Sequence, residues 1–225
     1  MNLVGLNVGL SDSLSAKTRR YADYYRQISA GTIREVVDDE TVELAPCFYR
    51  SIVEKVAFTR CKKIKSFAFA YCENLYAVDF PELIHIDVSA FERTSNLHNI
   101  FFQNVETLNS NAFRYSGIED ATFPSCLGLG SAAFGSCKSL KEIKIPKCKS
   151  LSTYAFSGCS ALEKIFLDGV TDVPQLGSFG LNSTPDTVKI IVPDALVDSF
   201  KVDTNWSTYA NRIIGVSEYE ATQAP

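Results

Sequence analysis

The chain has 225 residues, 46% hydrophobic and 21% charged, with 22 Lys and Arg against 26 Asp and Glu for a net charge of −4. That is ample material for a core, and the lack of excess positive charge argues against non-specific nucleic-acid binding, which works by neutralising phosphates. No stretch approaches the roughly 18 consecutive apolar residues of a membrane-spanning helix, so no membrane insertion is expected. At the start of the chain Val4, Leu6, Val8 and Leu10 alternate with Gly5, Asn7 and Gly9, which is strand periodicity. Two readings stand: a flexible or locally folded leader, and an arm that docks by adding a strand to a neighbouring subunit. The same stretch lacks a basic n-region and a small-residue cleavage site, so no signal peptide is read and the chain is expected to be made in a cytoplasm. Ser15 to Ala30 sets Tyr21, Tyr24, Tyr25 and Ile28 at helical spacing and predicts a capping helix. Thr32 to Val37 begins a sheet, with Val36 and Val37 both open as its inward residue. Asp38, Asp39 and Glu40 lack the spaced pattern of a calcium loop and read as a solvated turn.

From here Phe recurs at Phe48, Phe69, Phe91, Phe113, Phe134, Phe156 and Phe179, in steps of 21, 22, 22, 21, 22 and 23 residues. Self-similarity at this period marks a solenoid whose coils share one continuous core. Past each Phe an alternating apolar pair reads as a strand: Val56 and Phe58, Val78 and Phe80, Ile100 and Phe102, Ala121 and Phe123, Ile143 and Ile145, Ile165 and Leu167, Val188 and Ile190. The shorter steps lose one residue before the strand, and the longest gains one near Val173 and Pro174. A second apolar column, Ile64, Ile86, Leu108, Leu129 and Leu151, lies five residues before the Phe, and Ala68, Ala90, Ala112, Ala133 and Ala155 lie directly before it. Each coil therefore predicts a short parallel strand, a bend, a second inward segment and a corner where Phe enters the core.

The pattern A-F-x-x-C-x-x-L-x-x-I-x-I-P, as in Ala133 to Pro146 and, up to its last position, Ala155 to Leu167, resembles the BspA-like leucine-rich repeat family. The closing segment Ile191 to Ile213 also resembles the C-terminal cap often attached to such arrays in gut bacteria and their phages. The resemblance implies an α+β repeat solenoid: a leucine-rich-repeat-type right-handed coil with a parallel β-sheet on one face and capping helices at the ends. It also implies adhesion or protein recognition, with no shared catalytic residues. The expected organisation is an N-terminal arm and capping helix over 1–31, a solenoid of about seven coils over 32–192, and a C-terminal cap and tail over 193–225. Ile190 to Val192 is expected as the last strand, ended by Pro193. Asp194 then N-caps a helix carrying Leu196, Val197 and Phe200, and Trp206, Tyr209 and Ile213 supply a second apolar face.

Cys72, Cys137 and Cys159 fall three residues past the Phe, and Cys61, Cys126 and Cys148 eight before it. This is the spacing of the coil, whereas zinc sites need pairs two to four apart. The reading is buried structural thiols, with Cys126–Cys148 and Cys137–Cys159 bridges as the alternative. His85 and His98 have no nucleophile or carboxylate at a fixed offset, so no catalytic residue, cofactor or metal is assigned and the chain is not read as an enzyme. The outward column of the strands runs Ala57, Asp79, Phe101, Thr122, Lys144, Phe166 and Lys189. Two aromatics in that column nominate a partner site of Phe101, Phe166, Tyr76, His98, Asp79 and Lys144. The expected function is a non-catalytic recognition or adhesion module for a protein or surface glycan, within a phage virion (tail or receptor-binding) or a cell-surface assembly. The alternative is a structural virion component, docked through Val4, Leu6, Val8 and Leu10 as a homo-oligomer or among virion subunits.

Overall fold

A computed structural model describes Asp23, Tyr24, Arg26, Gln27 and residues 30–224, so the proposed arm residues Val4, Leu6, Val8 and Leu10 lie outside the described residues. Alternate residues of the outer strands turn inward, an apolar one at the centre of each, and the coil repeats this for about eight turns. An outer ladder is built from β1 (Glu35–Asp38), β3 (Lys55–Phe58), β5 (Ala77–Asp79), β7 (Asn99–Phe101), β9 (Asp120–Thr122), β11 (Glu142–Lys144), β13 (Lys164–Phe166) and β15 (Lys189–Val192). The second inward segment is itself a sheet of two-residue strands: β2 (Glu43–Leu44), β4 (Lys63–Ile64), β6 (His85–Ile86), β8 (Thr107–Leu108), β10 (Gly128–Leu129), β12 (Ser150–Leu151) and β14 (Gln175–Leu176). All pairings are parallel, as stacking of like coils requires. The second sheet runs unbroken through seven strands, while the outer ladder is interrupted between β5 and β7.

Between the second sheet and the next outer strand the chain turns a corner around each Phe. Phe48, Phe69, Phe91, Phe113, Phe134 and Phe156 are fully buried, and successive rings stack with centroids 5.1 to 5.9 Å apart. The corners are tied by backbone bonds: the amides of Phe69, Phe91 and Phe113 each donate to the carbonyl of the alanine one coil on, at 2.8 Å. The alanines fit because they too are fully buried between coils.

Phe179 does not belong to this column. The Phe156 amide donates to Gly180, which takes the alanine slot, so buried Leu181 fills the core position while Phe179 is 57% exposed and stacks on Tyr154 at 5.2 Å. Leu151 pairs with Leu176, 25 residues on, where Leu129 pairs with Leu151, 22 on, so this coil carries three extra residues and not one. A Phe standing two places before the core position, in a coil three residues longer, reproduced the expected step by coincidence.

The ends are closed by different means. Tyr24, in a helical stretch, packs its ring 5.4 Å from Phe48, and its hydroxyl donates to Asp38 at 2.6 Å. Val36 turns inward and Val37 is 56% exposed. The acidic triplet is not a solvated turn throughout. Asp38 is buried and also accepts from the Thr41 hydroxyl and from the Glu40 and Thr41 amides, fixing the bend after β1.

At the other end α1 (Val197–Val202) inserts Phe200, which meets buried Trp206 at 5.1 Å, and the Trp206 indole donates to the Pro174 carbonyl at 2.7 Å. Ile190 to Val192 is not the last strand: β16 (Ile213–Gly215) adds one more in parallel, pairing Ile213 with Ile190. Asp194 does not cap the helix it precedes. Its carboxylate accepts from the Ser217 amide and hydroxyl in the first turn of α2 (Val216–Gln223), satisfying an orphan amide there. Gly215 makes room for this, since a Cβ there would lie 2.1 Å from Asp194 Oδ1.

Candidate functional site

Tyr76, Asp79, His98 and Phe101 stand on the outer face, on either side of the break between β5 and β7. Inward Val78 and Ile100 hold these strands to the core, which turns Asp79 and Phe101 outward. Phe101 is 62% exposed and Tyr76 49%. Charges on this face are largely matched between rungs. Lys55 binds Glu35 at 2.9 Å with its ammonium 5.6 Å from the Tyr76 ring centre, and that hydrogen bond raises its pKa above the ordinary lysine value. Arg34 binds Glu54 at 2.7 Å. Glu119 takes Lys141 at 2.8 Å and His98 at 3.3 Å, and the Lys141 bond holds its carboxyl below the ordinary range. An exposed aromatic centre is thus framed by paired charges.

The other two nominated residues are not free for a partner in this way. Phe166 is only 9% exposed: Ile191, Ile214, Val216 and Tyr219 cover it, with the Tyr219 ring edge-on at 5.4 Å. Lys144 lies over the Phe166 ring at 5.1 Å and binds Glu142 at 2.9 Å. Strand alternation correctly turned Phe166 away from the core, but the chain's own C-terminal segment folds back over that face. The signal lay in Ile214, Val216 and Tyr219, just past Ile213, the last apolar residue that the sequence reading placed in the cap.

The cysteines are buried free thiols. Cys72, Cys137 and Cys159 donate to the carbonyls of Phe48, Phe113 and Phe134 at 2.8, 2.9 and 3.0 Å, so this slot stitches one coil to the preceding corner. Thr94 in the same slot bonds the Phe91 carbonyl of its own coil, while Ser51 and Ser116 contact Cys72 and Cys137. Burial pushes the Cys72, Cys126 and Cys137 thiols up to about 11 and Cys148 to about 12, far from a reactive thiolate. Among the described residues no group of three His, Cys, Asp or Glu could hold a metal, and no helix is long and apolar enough to cross a membrane. A groove of about 500 Å³ lies beside the three-residue insertion, lined by Leu127, Lys147, Val170, Asp172 and Pro174, and none of the nominated residues opens into it.

A family profile described as BspA type leucine rich repeat region matches residues 45–163 and 107–194, in 6 copies. In three dimensions the chain is similar to a leucine-rich repeat protein from Bacteroides ovatus, at 21% identity and a TM-score of 0.58, covering 72% of this chain and 52% of that one. It is also similar to the T. pallidum leucine-rich repeat protein, at 22% identity and a TM-score of 0.57, covering 69% and 73%. The chain thus spans about half the length of the Bacteroides ovatus protein. At these identities the likeness concerns the fold. No curated protein sequence matches the chain.

Proposed function

The chain belongs to the BspA-type leucine-rich repeat family, and from that premise we propose that it is a non-catalytic recognition module binding a protein or surface glycan through Tyr76, Asp79, His98 and Phe101. The observation that carries this reading is Phe101. Isolated exposed apolar residues are ordinary, but this one shares the face beside a break in the ladder with a second exposed aromatic, inside a ring of paired charges. That is the composition of a small interface: an aromatic anchor with a polar rim. The setting we infer is a phage virion, as a tail or receptor-binding component, or a cell-surface assembly.

The test is capture of the natural partner on immobilised chain, comparing the native sequence with Phe101→Ser and Tyr76→Ser combined. Both side chains are exposed, so the variant should unfold within about 0.5 kcal/mol of the native protein. Capture should fall about tenfold or more. Equal capture with the fold intact would sink the reading. Loss of capture only on removing residues 1–14 would favour docking through Val4, Leu6, Val8 and Leu10, which their alternating apolar pattern supports.

A further inference from the structure

The position two residues past each core Phe, and past Leu181 in the last coil, has a left-handed backbone: Arg50, Tyr71, Arg93, Tyr115, Ser136, Gly158 and Ser183, with φ between 57° and 77°. Large side chains are disfavoured there, and three coils of this same chain use Ser or Gly. The fold therefore does not call for Arg and Tyr. In the first four coils these residues alternate, and they interact. The Arg50 guanidinium lies over the Tyr49 and Tyr71 rings at 5.3 and 5.0 Å, Arg93 over Tyr71 and Tyr115 at 5.4 and 4.5 Å, and Arg114 over Tyr115 at 4.7 Å.

Their backbones are held in place. The amides of Arg50, Tyr71, Arg93 and Tyr115 donate to carbonyls of the following coil at 2.9, 2.7, 2.9 and 3.0 Å. Among the described residues none of Arg50, Arg93 and Arg114 pairs with a carboxylate, whereas Arg26, Arg34 and Arg212 do. A chain of net charge −4 thus keeps three uncompensated guanidiniums on one corner, fixed by stacking and spaced by the coil. Arg50 and Arg93 are two rungs apart, roughly 10 Å at the strand spacing.

We propose that the Arg50–Tyr71–Arg93–Tyr115 ladder, with Tyr49 and Arg114 beside it, binds a carboxylate-bearing polysaccharide laid along the solenoid axis. A guanidinium offers a planar fork that matches a carboxylate, and stacking on tyrosine sets that fork before the ligand arrives. The two-rung spacing suits a polymer with an acid on every second unit, which meets successive forks as one multivalent ligand. The tyrosine rings of this stripe are already taken up by guanidiniums, so what it offers a partner is a row of unpaired positive forks, which favours an anionic polymer over an apolar protein surface. The surface lies at the Phe corner, away from the outer strands, so the inference stands or falls separately from the reading of Phe101.

Hyaluronan, alginate and polygalacturonate oligosaccharides are titrated against the full chain, with carboxyl-reduced hyaluronan and poly-glutamate alongside. At least one acidic glycan should bind, and Arg50→Ala with Arg93→Ala should weaken it about tenfold or more. Arg60→Ala with Lys147→Ala, which removes the same charge elsewhere, should change it less than about threefold. Arg50→Lys with Arg93→Lys keeps the charge and removes the fork, so it should also lose several-fold affinity, and it serves if the alanine variant fails to fold. Three results would overturn the proposal: no glycan binding at about 1 mM, equal binding by the lysine and native forms, or tighter binding of poly-glutamate, which would assign the ladder to an acidic protein.

Discussion

Phe113 and Phe134 are each stacked on the ring before and after them and held between corners that hydrogen-bond to one another, so a hole left there cannot close by local collapse. Phe113→Ala and Phe134→Ala are expected to lose about 3–5 kcal/mol each by chemical denaturation. Phe179→Ala, on the surface, should lose less than about 1 kcal/mol, although the three residues look alike in the sequence. Equal losses at all three positions would contradict the assignment of Leu181 to the core. The Phe period was legible for six of its seven proposed members because every coil repeats the same steric demand. At the seventh, Gly180 replaced the alanine that would have marked the register.

Among the elements, the strands were the most legible, since one inward residue per strand leaves a period that survives changes in loop length. What lay beyond the sequence was how elements from distant parts of the chain cover one another. Phe166 read as exposed because nothing in its own repeat announces the return of Ile214 and Tyr219, about 50 residues later. Gly215 joins β16 to α2 within that return, close against Asp194. Gly215→Ala would drive a methyl group into Asp194 and break the cap on α2, for an expected loss of about 1–3 kcal/mol. Hydrogen exchange should speed up in 213–223 while 120–166 stays protected. Unchanged exchange in the terminal helix would show that Asp194 does not hold it.

As a whole the molecule is a one-dimensional stack, and its stability is set by the contact between each coil and the next and by the closures at the ends. At the N-terminal end Asp38 gives that closure a pH dependence. Burial by itself would raise its carboxyl, but bonds from Tyr24, Thr41 and Glu40 outweigh burial and hold it below the ordinary 3.8. A folded value below the unfolded one means that the contribution is complete above about pH 5 and is lost as pH falls below about 4. Asp38→Asn should therefore be less stable than the native chain at pH 7, by about 1–3 kcal/mol, and the gap should narrow on acidification to pH 3. A gap that stayed constant would assign the loss to packing alone. The architecture was legible at this scale from spacing. The proposed sites were less so, because strand alternation tells which way Phe101 and Phe166 point but not what comes to lie on them.

The interruption between β5 and β7 also gives the stack a mechanical character. The second sheet and the corner bonds cross it intact, pairing Ile86 with Leu108 and joining Phe91 to Ala112, while the outer ladder does not. Bending compliance is thereby concentrated at one joint, where the outer side is tied by the Asn104 side chain donating to the Pro81 carbonyl instead of by strand pairing, while the other two sides keep their backbone bonds. Under tension the first coils would part from the rest there, as a block, and Tyr76 and Phe101 are the side chains that such a movement would draw apart.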